Sequence, residues 1–536
     1  TLSSSSAASD VYKRQSQIQS FQKNNKQIKI KKFFLLFILA IFAVSCSKKV
    51  EIKGRVSNGS PLERIEIIEA SGVGTLPLVN LGVNNKGEFN GNFEAPKSGL
   101  YVVTYGGKSN MVYLKGGQAL NISGNAQNFP AEFTITGDAK ANNDFLKDSQ
   151  KAFETYASKI QMQDLISKDE AAFLAQFKKI QEDVNKLLET SAKKLNADSD
   201  ALNYKKDEAT ARLMGLLDAY EEQHAAATAK PGFKVSENFK KVQKDLQKND
   251  DRLIRDFPMY REYKLSKIQP DFQKYLATLP QNQKEQPMIS EVFANYLKTR
   301  KDLSNTAKDY FFGYVLAQGD LNFMNAKNYD KLTKLIDSNV TDGTVKKDLK
   351  ELQKVLMGFR AGTAPDMKIV SKDGKVQSLS DFKGKPTLVA FYASWNPNIA
   401  LMTIPVLKEV TEFYKAKMNY AYVNLDDTKE QFTKTSAALL KGFNGGHYWV
   451  DGGINAAEAK KFGLYGFKIP SYIIVDKDGK LLGRPYFNLG DPEFVETMTK
   501  LTGIQAPQMQ PQAQPQPQME IAPQDKAPQV DSAGVK

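Results

Sequence analysis

The fold of this chain is best inferred from one stretch, Thr387-Leu388-Val389-Ala390-Phe391-Tyr392-Ala393-Ser394-Trp395-Asn396-Pro397-Asn398-Ile399. Residues 386–394, which include the first part of this stretch, form a continuous apolar run. Such a run predicts a strand that is buried on both faces. Residues 400–415 have the length and apolar content of a helix. The stretch therefore predicts a strand, a polar turn that carries Trp395, and a helix.

Strands and helices keep alternating on the carboxyl side of this stretch. Strands are predicted over residues 418–425, 447–450, 471–476 and 480–485, and helices over residues 429–443, 456–462 and 491–502. The last two strands form a hairpin, because Asp478-Gly479 suits its tight turn. A βαβ unit followed by a hairpin and a final helix predicts a thioredoxin topology.

Two separated motifs carry a resemblance to a known family. The first combines Ala364-Pro365-Asp366, Leu379-Ser380-Asp381-Phe382-Lys383-Gly384-Lys385-Pro386 and Phe391-Tyr392-Ala393-Ser394-Trp395; the second is Phe467-Lys468-Ile469-Pro470-Ser471-Tyr472. Together they resemble the periplasmic thioredoxin-like disulfide reductases of the TlpA/ResA type, over roughly residues 362–503. The resemblance implies a thioredoxin-like fold with a cis bond between Ile469 and Pro470.

The resemblance also implies a Cys-x-x-Cys motif directly after Trp395, and this motif is degenerate here. The matching residues are Asn396 and Ile399, and neither carries the ionisable sulfur that disulfide exchange requires. Pro405, which matches the family's helix-kinking proline, lies one residue farther from Trp395 than usual, so the second lost cysteine matches either Ile399 or Ala400. We therefore predict no catalytic residue.

A binding face could persist without the thiols. By the resemblance, Trp395, Asn396, Ile469 and Pro470 are candidate peptide-binding residues, and a peptide could pair with the backbone of this loop by strand addition. The alternative is that Trp395 and Pro470 only pack the fold.

The sequence gives little support for a metal site, a histidine-based catalytic site or a pair of catalytic carboxylates. The chain has two histidines, His224 and His447, which are too few for a multi-histidine metal site, so we predict no metal and no cofactor. Asp426, Asp427 and Asp476 follow predicted strands, where solvated caps and turn residues are the usual role.

The single cysteine, Cys46, follows a leader-like segment. Residues 33–44 are apolar, too short for a membrane span of about 20 residues, and lysines precede them. Residues 43–46 resemble a lipobox, so we predict a signal peptide over residues 16–45, lipidation of Cys46 and a lipidated N-terminus over residues 46–49. Residues 1–15 are interpreted as non-native, adapter-derived sequence.

The localisation follows from these expectations. A lipid-anchored chain would lie in the cell envelope, attached to a membrane. Ser47-Lys48-Lys49 lacks the acidic cluster that resembles a surface-export signal of Bacteroidetes lipoproteins, so the chain is predicted to face the periplasm.

The remaining sequence divides into three parts. Residues 50–140 alternate like short strands and predict a β-sandwich-like domain, residues 141–360 predict a helical region, and residues 504–536 are a Pro/Gln-rich tail predicted to be disordered. In the helical region, Phe173, Phe177, Ile180, Val184 and Leu187 form one apolar stripe. With the thioredoxin-like domain at residues 361–503, the fold class is multidomain, α+β and α/β.

The charge argues against a nucleic-acid partner. The formal net charge of +14 falls to +8 without residues 1–45, which hold seven Lys or Arg and one Asp. A moderate excess without a basic run in the folded part is typical of a solvated surface.

The sequence as a whole resembles Bacteroidetes envelope lipoproteins with a TlpA-like module. We expect a redox-inactive member that serves as a peptide-binding, protein-binding or scaffold module with an envelope partner. Two alternatives remain: an oxidoreductase-type function exercised with a thiol-bearing partner, and a purely structural envelope spacer.

Overall fold

A computed structural model describes residues 49–280, 287–358 and 360–505. The predicted signal peptide, Cys46 and most of the C-terminal tail lie outside the described residues. Within them, the chain forms a β-sandwich, a helical region and a second mixed domain, in that order. The predicted multidomain fold class is therefore confirmed.

The N-terminal domain consists of two four-stranded sheets, with strand orders β4-β1-β7-β8 and β3-β2-β5-β6. The strands are β1 Lys49–Ser57, β2 Arg64–Glu69, β3 Val79–Gly82, β4 Glu88–Glu94, β5 Gly99–Tyr105, β6 Lys108–Leu114, β7 Ala119–Asn125 and β8 Thr134–Thr136. Strand β3 is an edge strand of its sheet, which becomes important at the candidate site.

The two sheets share one hydrophobic core. Alternate residues of β1, among them Val50, Ile52 and Val56, point inward and are buried, as expected for the two-residue period of a strand. They pack with residues of the opposite sheet such as Ile65 and Ile67. The predicted β-sandwich-like architecture follows from this alternation.

The helical region has eleven α-helices within the described residues. They are α1 Lys140–Ala157, α2 Met162–Ser167, α3 Glu170–Leu195, α4 Ser199–Ala227, α5 Glu237–Leu246, α6 Asp250–Asp256, α7 Pro258–Ala277, α8 Ile289–Thr299, α9 Asn305–Gly319, α10 Tyr329–Asn339 and α11 Gly343–Met357. No helix in the described part of the chain is both long and apolar enough to cross a bilayer.

The predicted apolar stripe lies on α3, with one correction. Phe173, Phe177, Ile180 and Val184 are buried, but the next buried residue is Leu188, whereas Leu187 is half-buried. Residue 188 continues the four-residue step from Val184, and that step keeps it on the same helix face.

The C-terminal domain is a seven-stranded sheet with helices on both faces. Its elements are β9 Lys368–Ser371, β10 Val376–Ser378, β11 Thr387–Tyr392, α12 Ile404–Phe413, β12 Asn419–Asn424, α13 Lys429–Leu439, β13 Gly446–Trp449, α14 Ala457–Lys461, β14 Ser471–Val475, β15 Leu481–Tyr486 and α15 Pro492–Thr502. The strand order is β10-β9-β13-β12-β11-β14-β15.

This sheet has the predicted thioredoxin topology. Strands β11, β12 and β13 are parallel, whereas β14 runs antiparallel to β11 and forms a hairpin with β15. The central strand β11 is buried along its whole length, because separate hydrophobic clusters cover its two faces. The loop that leaves its carboxyl end carries Trp395.

Buried basic side chains link the helical region to both neighbours. Arg261 of α7 donates to the carbonyl oxygens of Ser71 (2.5 Å) and Gly72 (3.1 Å) in the β-sandwich. On the other side, the Lys468 ammonium donates to the carbonyl of Val355 near the end of α11. The three regions therefore contact one another through specific polar bonds.

Candidate functional site

The candidate site lies where β11 ends and the chain turns toward α12. Trp395 is 9% exposed and packs with Ile469 in the hydrophobic cluster on one face of the sheet. Asn396 and Pro470 are half-buried, and Ile469 is buried. The structure thus brings all four candidate peptide-binding residues together.

The Asn396 side chain bridges the two loops of the site. Its Nδ2 donates to the carbonyl of Ile469 at 2.6 Å, and its Oδ1 accepts from the backbone N–H of Asn398 at 2.9 Å. The backbone N–H of Ile469 donates to the carbonyl of Gly466 at 3.3 Å. A peptide that paired with Ile469 would therefore have to compete with bonds inside the chain.

A π-helical turn, Ile399–Thr403, leads into α12. The Asn398 carbonyl accepts from the N–H groups of Met402 (3.0 Å) and Thr403 (3.2 Å), so the turn includes an i→i+5 bond. Such a turn holds one residue more than an α-turn. It accommodates the extra residue that separates Trp395 from Pro405.

The same turn bears on which residue matches the second cysteine of the motif that the resemblance implies. Ile399, which is 4% exposed, packs in the cluster beneath α12, whereas Ala400 faces solvent. Because the extra residue is taken up within the turn that starts at Ile399, the spacing from Trp395 to Ile399 is undisturbed. This favours Ile399 over Ala400 as the matching position.

The loop that carries Pro470 is fixed on its other side by Lys468. The Ile469–Pro470 bond is cis, as the resemblance implied. The Lys468 ammonium donates to the carbonyl of Val355 and lies 5.4 Å from the ring centroid of Phe487. Burial lowers the pKa of Lys468 to about 7.

The expectation of a solvated role for Asp426 is wrong. This residue is fully buried, and its carboxylate accepts from the N–H (2.7 Å) and the hydroxyl (3.0 Å) of Ser394, and from the Thr435 hydroxyl at 2.8 Å. The Trp449 indole N–H donates to its backbone carbonyl at 2.8 Å. The burial of this carboxylate is tolerated because these donors replace water.

Asp476 has the expected turn role, since its Oδ1 accepts from the N–H groups of Asp478 and Lys480.

The β-sandwich covers the candidate site through Arg64, at the start of β2. The guanidinium carbon lies 4.7 Å from the ring centroid of Trp395. Two guanidinium nitrogens donate to the Asp427 carboxylate at 2.8 and 3.0 Å. Arg64 also donates to the side-chain and main-chain oxygens of Asn80 on β3.

Sequence reasoning missed the residues of this contact. Arg64 and Asp427 are 363 residues apart, and Asn80 and Asn455 are 375 apart. Neither pair belongs to a local motif, and no periodicity relates residues in different domains. In the sequence, Asp427 is one of several aspartates that follow predicted strands. Arg64 is a charged residue at the start of a strand, with no motif around it.

The histidines have structural partners. His224 is buried and its Nδ1 lies 2.7 Å from the carbonyl oxygen of Ile166. His447 Nδ1 lies 2.6 Å from the Ser436 hydroxyl, and burial together with Lys372 lowers the pKa of His447 to about 4. Among the residues that the structure describes, no group of acidic, histidine or cysteine side chains could hold a metal ion.

Fold and site together define a thioredoxin-like domain at the C-terminal end of a larger chain. Residues 360–491 match the family model for Redoxin. The C-terminal part of the chain is therefore a redoxin domain with a thioredoxin-like fold. A comparison with curated proteins found no match.

Solved structures similar to the chain cover this domain. One is the C-terminal domain of a putative thiol-disulfide oxidoreductase from Bacteroides thetaiotaomicron, with 25% identity over 27% of this chain and 97% of that chain, and a TM-score of 0.24. Another is a putative thiol:disulfide interchange protein DsbE from Chlorobium tepidum, with 22% identity over 27% of this chain and 99% of that chain, and a TM-score of 0.23.

Proposed function

We propose that this chain is a redox-inactive thioredoxin-like protein of the cell envelope that binds a peptide or protein. Its docking face is defined as Trp395, Asn396, Ile469 and Pro470. The function is recognition at this face, and no disulfide is exchanged there.

The observation that carries the proposal is the position and bonding of Asn396. It follows Trp395, where the resemblance places the attacking cysteine, and its amide bonds to the Ile469 carbonyl at 2.6 Å. An amide does not ionise near neutral pH and cannot attack a disulfide. Because the only cysteine of the chain is Cys46, no thiol from elsewhere in the domain can replace it.

The redox part of the proposal is tested by insulin reduction. The chain from Lys48 onward keeps all described residues and contains no cysteine. We expect no precipitation of insulin in the presence of dithiothreitol above the rate without protein, with a thioredoxin as positive control. Turnover by the purified chain would contradict the proposal. Turnover only after addition of a thiol-bearing envelope protein would favour the oxidoreductase alternative.

The binding part is tested by crosslinking in the native envelope. We expect Trp395→Ala to abolish a crosslinked complex that the wild-type chain forms. Trp449→Phe is the matched control, because Trp449 is similarly buried but lies at the end of strand β13 and outside the docking face. An unchanged complex in Trp395→Ala would instead favour a structural spacer.

The membrane attachment is part of the proposal. The supporting observations are the lipobox-like residues 43–46 and the apolar run before them. Metabolic labelling with a radioactive fatty acid is expected to label the wild-type chain and to leave Cys46→Ala unlabelled. Incorporation in the variant would contradict lipidation at Cys46.

A further inference from the structure

The side chain of Arg64 is held like a bound ligand. It is 7% exposed and lies between the indole of Trp395 and the carboxylate of Asp427. Two nitrogens contact two carboxylate oxygens, at 2.8 and 3.0 Å, which is the fork geometry that a planar guanidinium provides and an ammonium does not. The aromatic face and the carboxylate together select for arginine.

The backbone of the neighbouring strand β3, which pairs with β2, is also bound. Asn80, on the edge strand β3, donates its N–H to Oδ1 of Asn455 at 2.9 Å and accepts from Nδ2 of Asn455 at 2.6 Å. This pair of bonds is what a neighbouring strand would make with Asn80. The Lys460 ammonium donates to the carbonyl of Leu78 at 2.8 Å. The thioredoxin-like domain thus recognises an extended segment of its own chain.

The packing of Arg64 against Trp395 leaves one polar group of the indole without a partner. The indole Nε1 of Trp395 is buried and has no hydrogen-bond acceptor among the residues that the structure describes. A buried donor without an acceptor costs free energy. A ligand that offered a carbonyl oxygen here would therefore gain a bond that the β-sandwich does not supply.

We propose that the space between Trp395 and Asp427 is an arginine-binding pocket, and that Arg64 occupies it as a built-in ligand. This inference rests on the proposed function, since the pocket adjoins the docking face. It names the chemical class of the partner: a polypeptide that presents an arginine side chain and displaces Arg64.

The test uses the fluorescence of Trp395. The chain contains two tryptophans, so Trp449→Phe leaves Trp395 as the only reporter. In this background Arg64→Ala is expected to raise the acrylamide quenching constant about twofold, because the guanidinium no longer covers the indole. Ethylguanidinium at millimolar concentration is expected to return the constant toward the parent value, and ethylammonium is not.

One control and a second variant of the pocket keep the result specific. Arg252→Ala breaks an arginine–carboxylate pair with Asp207 (2.6 Å) in the helical region and is expected to leave Trp395 quenching unchanged. Asp427→Asn keeps Arg64 but removes the charge that it contacts, and is expected to raise quenching as Arg64→Ala does. Far-UV circular dichroism checks that each variant is folded.

The quenching results test the arginine-binding pocket, and insulin reduction tests the proposed function. Equal quenching in the parent and in folded Arg64→Ala and Asp427→Asn would overturn it, and so would equal rescue by ethylammonium and ethylguanidinium. Insulin reduction by the purified chain would overturn the proposed function and leave the quenching results unaffected.

Discussion

A buried carboxylate stabilises the loop that carries Trp395. The Asp426 side chain accepts hydrogen bonds from Ser394, Asn424 and Thr435. These donor groups are themselves buried or half-buried, so water cannot easily replace the carboxylate as their hydrogen-bond acceptor. The position of Trp395 is therefore coupled to a residue that touches no ligand.

Asp426→Ala is expected to lower the free energy of unfolding by about 2–4 kcal/mol, because several buried donors lose their acceptor at once. Urea denaturation followed by circular dichroism measures the change. Asp366→Ala is the matched control, since that carboxylate is exposed and forms an ion pair with Lys461 at the surface. A loss for Asp426→Ala no larger than the control's would contradict the role assigned to Asp426.

Lys468 makes stability depend on pH. Burial lowers its pKa to about 7, whereas the unfolded chain keeps the ordinary value of 10.5. Between these values the unfolded chain binds more protons than the folded chain, so the contribution of Lys468 to stability rises with pH across this interval.

Lys468→Met removes this dependence. We expect the stability of the variant relative to wild type to be highest below pH 7 and to decline up to pH 10, by at most about 1.4 kcal/mol per pH unit. The lost bond to the Val355 carbonyl adds a constant that does not vary with pH. Urea unfolding at several pH values measures the difference, and exposed Lys477→Met should show no such slope.

At the scale of single elements, the π turn Ile399–Thr403 bears on whether Ile399 or Ala400 matches the second cysteine position that the resemblance implies. It places Ile399 in the core and Ala400 in solvent. A sequence comparison alone left these two positions undecided, because both alignments differ from the family by one residue. The hydrogen-bond pattern of the turn favours Ile399, and this pattern is a property of the folded backbone.

Paired cysteines test this assignment. Asn396→Cys with Ile399→Cys is expected to form an intrachain disulfide and to reduce insulin weakly, since it restores two thiols at the start of a helix with the family spacing. Asn396→Cys with Ala400→Cys is the matched control and should be less active. Higher activity of the control pair would show that Ala400 is the corresponding position.

The elements of the C-terminal domain were largely predictable from the sequence. The strand ending before Trp395, the Asp478-Gly479 hairpin and the cis bond at Pro470 all follow from local residues or from the resemblance. The residues that contact the candidate site from other domains were less predictable. From the sequence, Trp395 was a candidate peptide-binding residue or a packing residue. Arg64, which covers it, belongs to a domain more than 300 residues away in sequence, so no local pattern could indicate this contact.

At the scale of the whole molecule, the β-sandwich and the thioredoxin-like domain are held in one arrangement. Among the described residues, the contacts include the Asn455 side-chain amide and the Lys460 ammonium on main-chain groups of β3 and of Leu78, and the ion pair of Arg64 with Asp427. Bonds of this kind require fixed geometry, because hydrogen bonds weaken steeply when misaligned.

Asn80→Cys with Asn455→Cys tests this arrangement in solution. In the otherwise cysteine-free chain from Lys48 onward, mild oxidation or a short bis-maleimide is expected to join the two positions within one molecule. Tryptic peptide mapping identifies the product. Asn80→Cys with Asp366→Cys is the control, and it should not crosslink. Equal yields for both pairs would show that the two domains move freely.

The start of the first strand has a consequence for the height of the molecule above a membrane. Strand β1 begins at Lys49, three residues after Cys46. Fully extended, three residues reach about 10 Å. With the proposed acyl chains on Cys46, the β-sandwich would rest against the lipid headgroups, and the folded body itself, not a flexible stalk, would set how far Trp395 stands from the bilayer.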